Sequence, residues 1–145
     1  MTRQKNHKPA YKGNQADLVK TGEALWKDNR LSTNRMSCNT CHINNASFAP
    51  GFAKPYPHPV GMAKDRSGLT KISAEDMVQF CMVVPMAAKP LPWDSKELAA
   101  LTAYTLHVQK TFKPNPCAAK NPCGANPCAA RNPCAARNPC AAKRK

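Results

Sequence analysis

The pentapeptide Cys38-Asn39-Thr40-Cys41-His42 constrains this chain more than any other feature of its sequence. Two thiols separated by two residues match the spacing of the vinyl groups on one edge of a haem, and the histidine that follows is placed to bind the iron. A thioredoxin-like redox pair and half of a zinc site have the same thiol spacing. The redox pair belongs to chains that alternate strands and helices, and no strand pattern occurs here. Covalent attachment of one haem c through Cys38 and Cys41, with His42 as proximal iron ligand, is therefore the favoured interpretation.

The composition agrees with a small domain that depends on a cofactor for its core. The 145 residues suffice for one domain, and 42% of them are hydrophobic. That fraction includes eight cysteines and many alanines of the C-terminal stretch, so large core-forming side chains are few. A buried haem supplies apolar area that the side chains lack. We expect a single, mostly α haem domain over residues 15–113, with a flexible basic arm over 1–14 and a low-complexity tail over 114–145.

Hydrophobic periodicity and capping residues predict three helices in the haem domain. The first runs from about residue 16 to 30, and the second covers 74–82 behind a capping box. The third begins after Ser95 and ends before Pro114. Residues 43–70 are rich in Pro, Gly, Asn and Ala and show little periodicity, which predicts a long loop wrapped around the haem.

The positive charge is concentrated at the two ends of the chain. The formal net charge is +14, and residues 113–145 carry seven Lys or Arg and residues 1–12 carry four, without any acidic residue in either stretch. This distribution predicts salt-dependent attraction to an acidic redox-partner protein or an anionic surface. Nucleic acid is not expected as a partner because no nucleic-acid-binding motif accompanies the charge.

The sequence predicts an extracytoplasmic protein that does not span a membrane. No apolar run approaches the roughly 20 residues that a transmembrane helix needs. The machinery that attaches haem to a Cys-x-x-Cys-His motif works on the far side of the bacterial inner membrane. We therefore expect a periplasmic location, with a signal peptide already removed from the sequence.

The tail repeats the tripeptide Asn-Pro-Cys. Its cysteines are Cys117, Cys123, Cys128, Cys134 and Cys140, separated mostly by alanines and a basic residue. With a proline in every unit and no large apolar side chain, the tail is predicted to be disordered. Three roles remain open for it: binding of soft metal ions such as Cu(I) or Zn(II), inter-chain disulfides that anchor the protein in a matrix, and a basic docking arm.

Three landmarks occur in the order that is typical of class I c-type cytochromes. They are the stretch Gly22-Glu23-Ala24-Leu25-Trp26, the Cys-x-x-Cys-His motif and the stretch Leu101-Thr102-Ala103-Tyr104. The chain from about residue 14 to 112 therefore resembles a class I cytochrome c domain. In that family the first and last helices cross at a small residue, and the resemblance assigns this place to Gly22, with Leu101 and Tyr104 as its contacts.

A narrower resemblance is to the haem domains of thiosulfate dehydrogenase and the SoxA-type sulfur-oxidation cytochromes. It depends on Tyr56-Pro57, on Cys81 and on the run from residue 89 to 95, Lys-Pro-Leu-Pro-Trp-Asp-Ser. The resemblance implies that Cys81 is the distal iron ligand. Met86 is the runner-up, because an ordinary class I cytochrome keeps its methionine there.

Weaker candidates for the sixth iron ligand are Met82, Met77, Met62 and His58, and an open site is a further alternative. The choice matters because the axial ligand tunes the reduction potential of the iron. A thiolate lowers the potential, and a methionine sulfur raises it.

The sequence is compatible with three functions. The leading one is electron transfer, by a free carrier or by the cytochrome subunit of an oxidoreductase. The first alternative is a sulfur-compound oxidoreductase that acts through Cys81. Its thiosulfate-oxidising relatives have a basic residue shortly after the ligand cysteine, whereas Met82-Val83-Val84-Pro85 follows here, so enzyme activity is left open. The second alternative is a metal-binding or matrix-anchoring protein that works through its tail.

Overall fold

A computed structural model describes residues 11–45 and 48–114 of the chain. Five α-helices occur within these residues: α1 Gln15–Trp26, α2 Cys38–Cys41, α3 Gly61–Ser67, α4 Ala74–Val83 and α5 Lys96–Thr111. The described ranges contain no β-strand, and one isolated antiparallel bridge joins His58 to Ile72. The predicted mostly α class is therefore confirmed. Residues 1–10 of the predicted arm (1–14) and residues 115–145 of the predicted tail (114–145) lie outside the described residues, so the three domain boundaries stay predictions.

Helix α1 is shorter than the sequence predicted. It begins at the cap Asn14, whose side chain accepts a 2.9 Å hydrogen bond from the Ala16 N–H. It ends at Trp26 rather than near Arg30, because Asp28 starts a separate 3-10 turn by accepting a 2.9 Å hydrogen bond from the Arg30 N–H. A side chain that caps a new turn ends the preceding helix.

Helices α1 and α5 cross in direct contact at Gly22. A Cβ atom at this position would overlap the carbonyl oxygen of Ala100 and would lie 2.7 Å from the Tyr104 Cβ atom. The resemblance correctly predicted Tyr104 as a contact, and the closest approach at Gly22 is to the Ala100 backbone. Leu101 is fully buried in the adjoining core. Only a glycine permits this close approach of the two backbones.

The main core lies between α1, α4 and α5. Its buried members are Trp26, Phe52, Val78, Met82, Met86, Leu98, Leu101, Tyr104 and Val108. Trp93 is partly buried and packs against this cluster. Met86 belongs to this core and Cys38 packs against it, so the core adjoins the candidate haem-binding residues.

The long loop predicted over residues 43–70 is wrong in part, because it contains helix α3. This helix ends at Gly68, which adopts a φ of 72° and donates a 2.8 Å hydrogen bond to the Lys64 carbonyl. Ala63 is its one buried residue, and it packs against Ile72 and Phe80. A seven-residue helix with one small buried side chain leaves no hydrophobic period to detect.

Helix α4 starts at the predicted capping box, in which the Ser73 Oγ atom accepts a 3.1 Å hydrogen bond from the Asp76 N–H. Gln79, which is fully buried, ties α4 to the following proline-rich loop. Its Nε2 donates to the Leu91 carbonyl at 2.6 Å and its Oε1 accepts from the Leu91 N–H at 2.9 Å. Helix α5 begins after Ser95, whose Oγ accepts from the Leu98 N–H.

Candidate haem site

A cavity of about 520 Å³ lies among α1, α2, α4, α5 and the chain that runs from α2 into the start of α3. Its volume is in the range of roughly 300–1,000 Å³ that is usual for cofactor and small-molecule sites. All five side chains that the sequence favours as haem ligands or attachment points line it: Cys38, Cys41, His42, Cys81 and Met86. Residues more than 40 positions apart in the sequence thus meet at one site.

The attachment motif forms the one-turn helix α2 at the cavity wall. The Ser37 N–H donates a 2.9 Å hydrogen bond to the Thr40 Oγ1 atom, which fixes the start of the turn. At its end the His42 N–H donates to the Cys38 carbonyl at 3.0 Å. This helical turn brings the two thiols and the imidazole to the same wall, because residues three or four apart share one face of a helix.

Aromatic rings pack against the imidazole of His42. His42 stacks on Phe48 with ring centroids 3.9 Å apart and planes 7° apart, and Phe48 stacks on Phe52 at 4.0 Å. The indole of Trp26 lies 5.8 Å from the imidazole. Sequence analysis did not single out Phe48 or Phe52, since nothing in their spacing relates them to His42.

Two sulfur side chains from the end of α4 reach the same cavity. Cys81 lies on the last turns of the helix, and Met86 follows in the turn beyond it and is 3% exposed. His58, Met62 and Met77 also line the cavity, although Met62 is exposed. Met82 is not among the lining residues and packs in the core instead, which argues against it as a ligand.

The buried thiols of Cys38 and Cys81 are neutral unless a cation is bound beside them. Burial raises the pKa of the Cys81 thiol to about 12 and that of Cys38 to about 11, because a thiolate is poorly solvated there. The electrostatic influence of Cys38 and Cys41 raises the Cys81 pKa further. No Lys or Arg occurs among the described residues that line the cavity. A Cys81 thiolate therefore needs a cation inside the cavity, and a haem iron meets that need.

The donor set fits a haem better than a bare metal ion. Among the described residues no group of three or more His, Cys, Asp or Glu side chains is arranged to hold a metal ion, so the zinc interpretation has no support there. The buried atoms Trp26 Nε1 and His58 Nδ1 belong to lining residues and have no hydrogen-bond partner among the described side chains. Buried polar atoms of this kind are normally paired, and the polar groups of a bound cofactor are suitable partners.

Comparison with known families agrees with this geometry. A family model described as SoxA/TsdA, cytochrome c domain matches residues 21–111. The match begins within α1, includes the attachment motif, Cys81 and Met86, and ends with the last residue of α5. No curated protein and no solved structure matches the chain. None of the helices in the described part of the chain is long and apolar enough to cross a membrane.

Proposed function

The chain belongs to the SoxA/TsdA cytochrome c domain family, and from that premise we propose that it is a monohaem electron carrier, either free or as the cytochrome subunit of an oxidoreductase. A cytochrome c domain holds haem c covalently, so the chain is a haem electron-transfer protein. The haem iron supplies the one-electron chemistry by cycling between its ferric and ferrous states. We place its work outside the cytoplasm, which is where SoxA/TsdA-type cytochromes are typically found.

In the proposed site, Cys38 and Cys41 form the two thioethers and His42 binds the iron on the proximal side. Cys81 is the leading distal ligand, as the family resemblance implies, and Met86 is the second candidate. The stacked rings of Phe48 and Phe52 keep the imidazole of His42 in one orientation. A ligand held in one orientation reduces the rearrangement that accompanies a change of iron charge.

The observation that carries this proposal is the absence of a cationic side chain in the described cavity wall. An enzyme that oxidises thiosulfate or a related anion must hold that anion, and Lys or Arg side chains do so in proteins. The cavity wall is mostly apolar and contains neither residue among its described members. The stretch after Cys81, from Met82 to Pro85, is also uncharged. These features favour electron transfer over the alternative of sulfur-compound oxidation.

Electrons are proposed to enter and leave at the edge of the site near Cys41. Cys41 is exposed whereas Cys38 is half-buried, so the attachment edge of the site lies near the surface. The neighbouring Ile43 side chain is 59% exposed and offers an apolar contact next to this edge. The excess of Lys and Arg favours an acidic partner protein, because opposite charges steer the two proteins together.

The proposal is tested on the purified holoprotein by spectroscopy and redox titration. We expect haem that stays attached after denaturation, a reversible one-electron titration, and no turnover of thiosulfate with an artificial electron acceptor. Cys38→Ala with Cys41→Ala should remove the covalent attachment. Thiosulfate turnover that is lost in Cys81→Ala would instead establish the sulfur-oxidation alternative.

A further inference from the structure

The turn that carries Met86 is bound on both sides by side chains from a distant loop. The Thr33 Oγ1 atom donates a 2.6 Å hydrogen bond to the carbonyl of Ala87. The Asn34 Nδ2 atom donates a 3.0 Å hydrogen bond to the carbonyl of Pro85. The acceptors are the two residues that flank Met86. We call these two hydrogen bonds the strap.

The strap connects the Met86 turn to the loop that leads into the haem-attachment helix. Within that loop the Asn34 Oδ1 atom accepts a 3.1 Å hydrogen bond from the Met36 N–H. The Ser32 hydroxyl donates to the Met36 carbonyl at 2.6 Å. Met36 precedes Ser37, the cap of α2. The strap therefore connects the loop that precedes the attachment helix α2 to the turn that carries the sulfur of Met86.

The backbone of the Met86 turn is itself unusual. The Met86 N–H donates to the Cys81 carbonyl at 3.2 Å, and the Ala88 N–H donates to the Met82 carbonyl at 2.8 Å. Between them Ala87 has a φ of 50°, in the left-handed region that alanine rarely adopts. Such a conformation persists only where surrounding contacts impose it, and the strap bonds the carbonyl of this very residue.

We propose that Thr33 and Asn34 are positioning residues that hold Met86 as a second sulfur ligand for the haem iron, in competition with Cys81. The inference rests on the proposed function, in that it requires a haem attached at Cys38 and Cys41. A methionine side chain is flexible, and binding through its sulfur costs conformational entropy. A fixed backbone removes part of that cost, so the strap strengthens the bond from Met86 to the iron.

The test uses holoprotein in which Cys81 is replaced by serine, so that Met86 faces no competing thiol. Cys81→Ser should show the weak long-wavelength charge-transfer band of methionine ligation, and Met86→Ala added to it should abolish the band. Thr33→Val or Asn34→Ala added instead should weaken the band and raise the affinity for added imidazole about two- to tenfold, the change expected when one hydrogen bond is lost.

Two matched variants separate positioning from a general loss of stability. Thr33→Ser keeps the hydroxyl and should retain both the band and the low imidazole affinity. Asn29→Ala changes an exposed asparagine of the preceding 3-10 turn and should behave in the same way. Thr33→Val exchanges only a hydroxyl for a methyl group, so it provides the test if Asn34→Ala fails to fold.

The proposal is overturned if Cys81→Ser lacks the methionine band, or if Thr33→Val leaves both the band and the imidazole affinity unchanged. Failure of the proposed function is distinguishable, because it appears in the unmutated protein as the absence of covalently bound haem or as turnover of thiosulfate.

Discussion

The imidazole of His42 and the phenyl ring of Phe48 are stacked almost parallel, with centroids 3.9 Å apart and planes 7° apart. The contact joins the residue that ends the attachment motif to the chain that follows it. A second stacked ring, Phe52, continues the column at 4.0 Å from Phe48. The proximal side of the proposed haem site is thus supported by packing as well as by the α2 backbone.

The stacked column predicts a measurable effect of Phe48→Leu. Leucine keeps apolar volume but loses the stacking, which is worth about 0.5–1.5 kcal/mol beyond the buried area. We expect urea unfolding of the holoprotein to show a loss of that size, together with shifted His42 ring signals in the NMR spectrum. Phe112→Leu is the control, since Phe112 meets Phe48 edge-on at 5.8 Å, and it should leave the His42 signals in place. Unchanged His42 signals in Phe48→Leu would contradict the supporting role.

The helix crossing predicts that Gly22→Ala is strongly destabilising. The new methyl group would meet the Ala100 carbonyl and the Tyr104 Cβ atom, and backbone atoms cannot move aside as a flexible side chain does. Overpacking costs about 1–3 kcal/mol, and we expect the upper end of that range in thermal or urea unfolding. Gly51→Ala is the matched control, because a Cβ there meets nothing within 4 Å. Equal effects of the two changes would refute this account of the crossing.

The buried amide of Gln79 predicts a large effect of Gln79→Leu. Leucine removes both hydrogen bonds to Leu91 and leaves the N–H and carbonyl of this half-buried residue without those partners, at about 1–2 kcal/mol for each group. We expect the free energy of unfolding to fall by about 2–4 kcal/mol in urea. Gln109→Leu is a fair comparison, since Gln109 also bonds two carbonyls but from a partly exposed position. Gln109→Leu should lower the free energy of unfolding by less than Gln79→Leu does. A larger effect of Gln109→Leu would argue against the burial of Gln79 as the cause.

The concentration of charge at the ends of the chain predicts a salt-dependent electron-transfer rate. Reduced protein should be oxidised faster by the anion ferricyanide at low than at high ionic strength, because screening lengths fall to about 8 Å at physiological salt. Ending the chain at Pro114 removes six of its 22 Lys and Arg residues, and the salt dependence should become shallower. Stopped-flow measurements of both forms test this, and identical salt slopes would exclude a steering role for the tail.

Local signals in the sequence were sufficient for the parts of the structure that depend on neighbouring residues. The attachment motif predicted the haem, and Ser73 with Asp76 predicted the start of α4, because helix caps and thiol spacing act over three or four positions. The apolar stripe after Ser95 predicted α5, which runs from Lys96 to Thr111. The family match over residues 21–111 agrees with these predictions.

Contacts between distant segments were decided by the tertiary structure alone. The short helix α3 has one buried alanine and depends on Ile72 and Phe80 for its packing, so it has no period of its own. Thr33 gives no sign in the sequence that its hydroxyl bonds the carbonyl of Ala87, 54 positions later. The sequence indicated Cys81 and Met86 as alternative iron ligands. Only the folded chain shows that both sulfurs reach the same cavity. Their positions depend on burial and on hydrogen bonds between distant segments, and local spacing does not determine these.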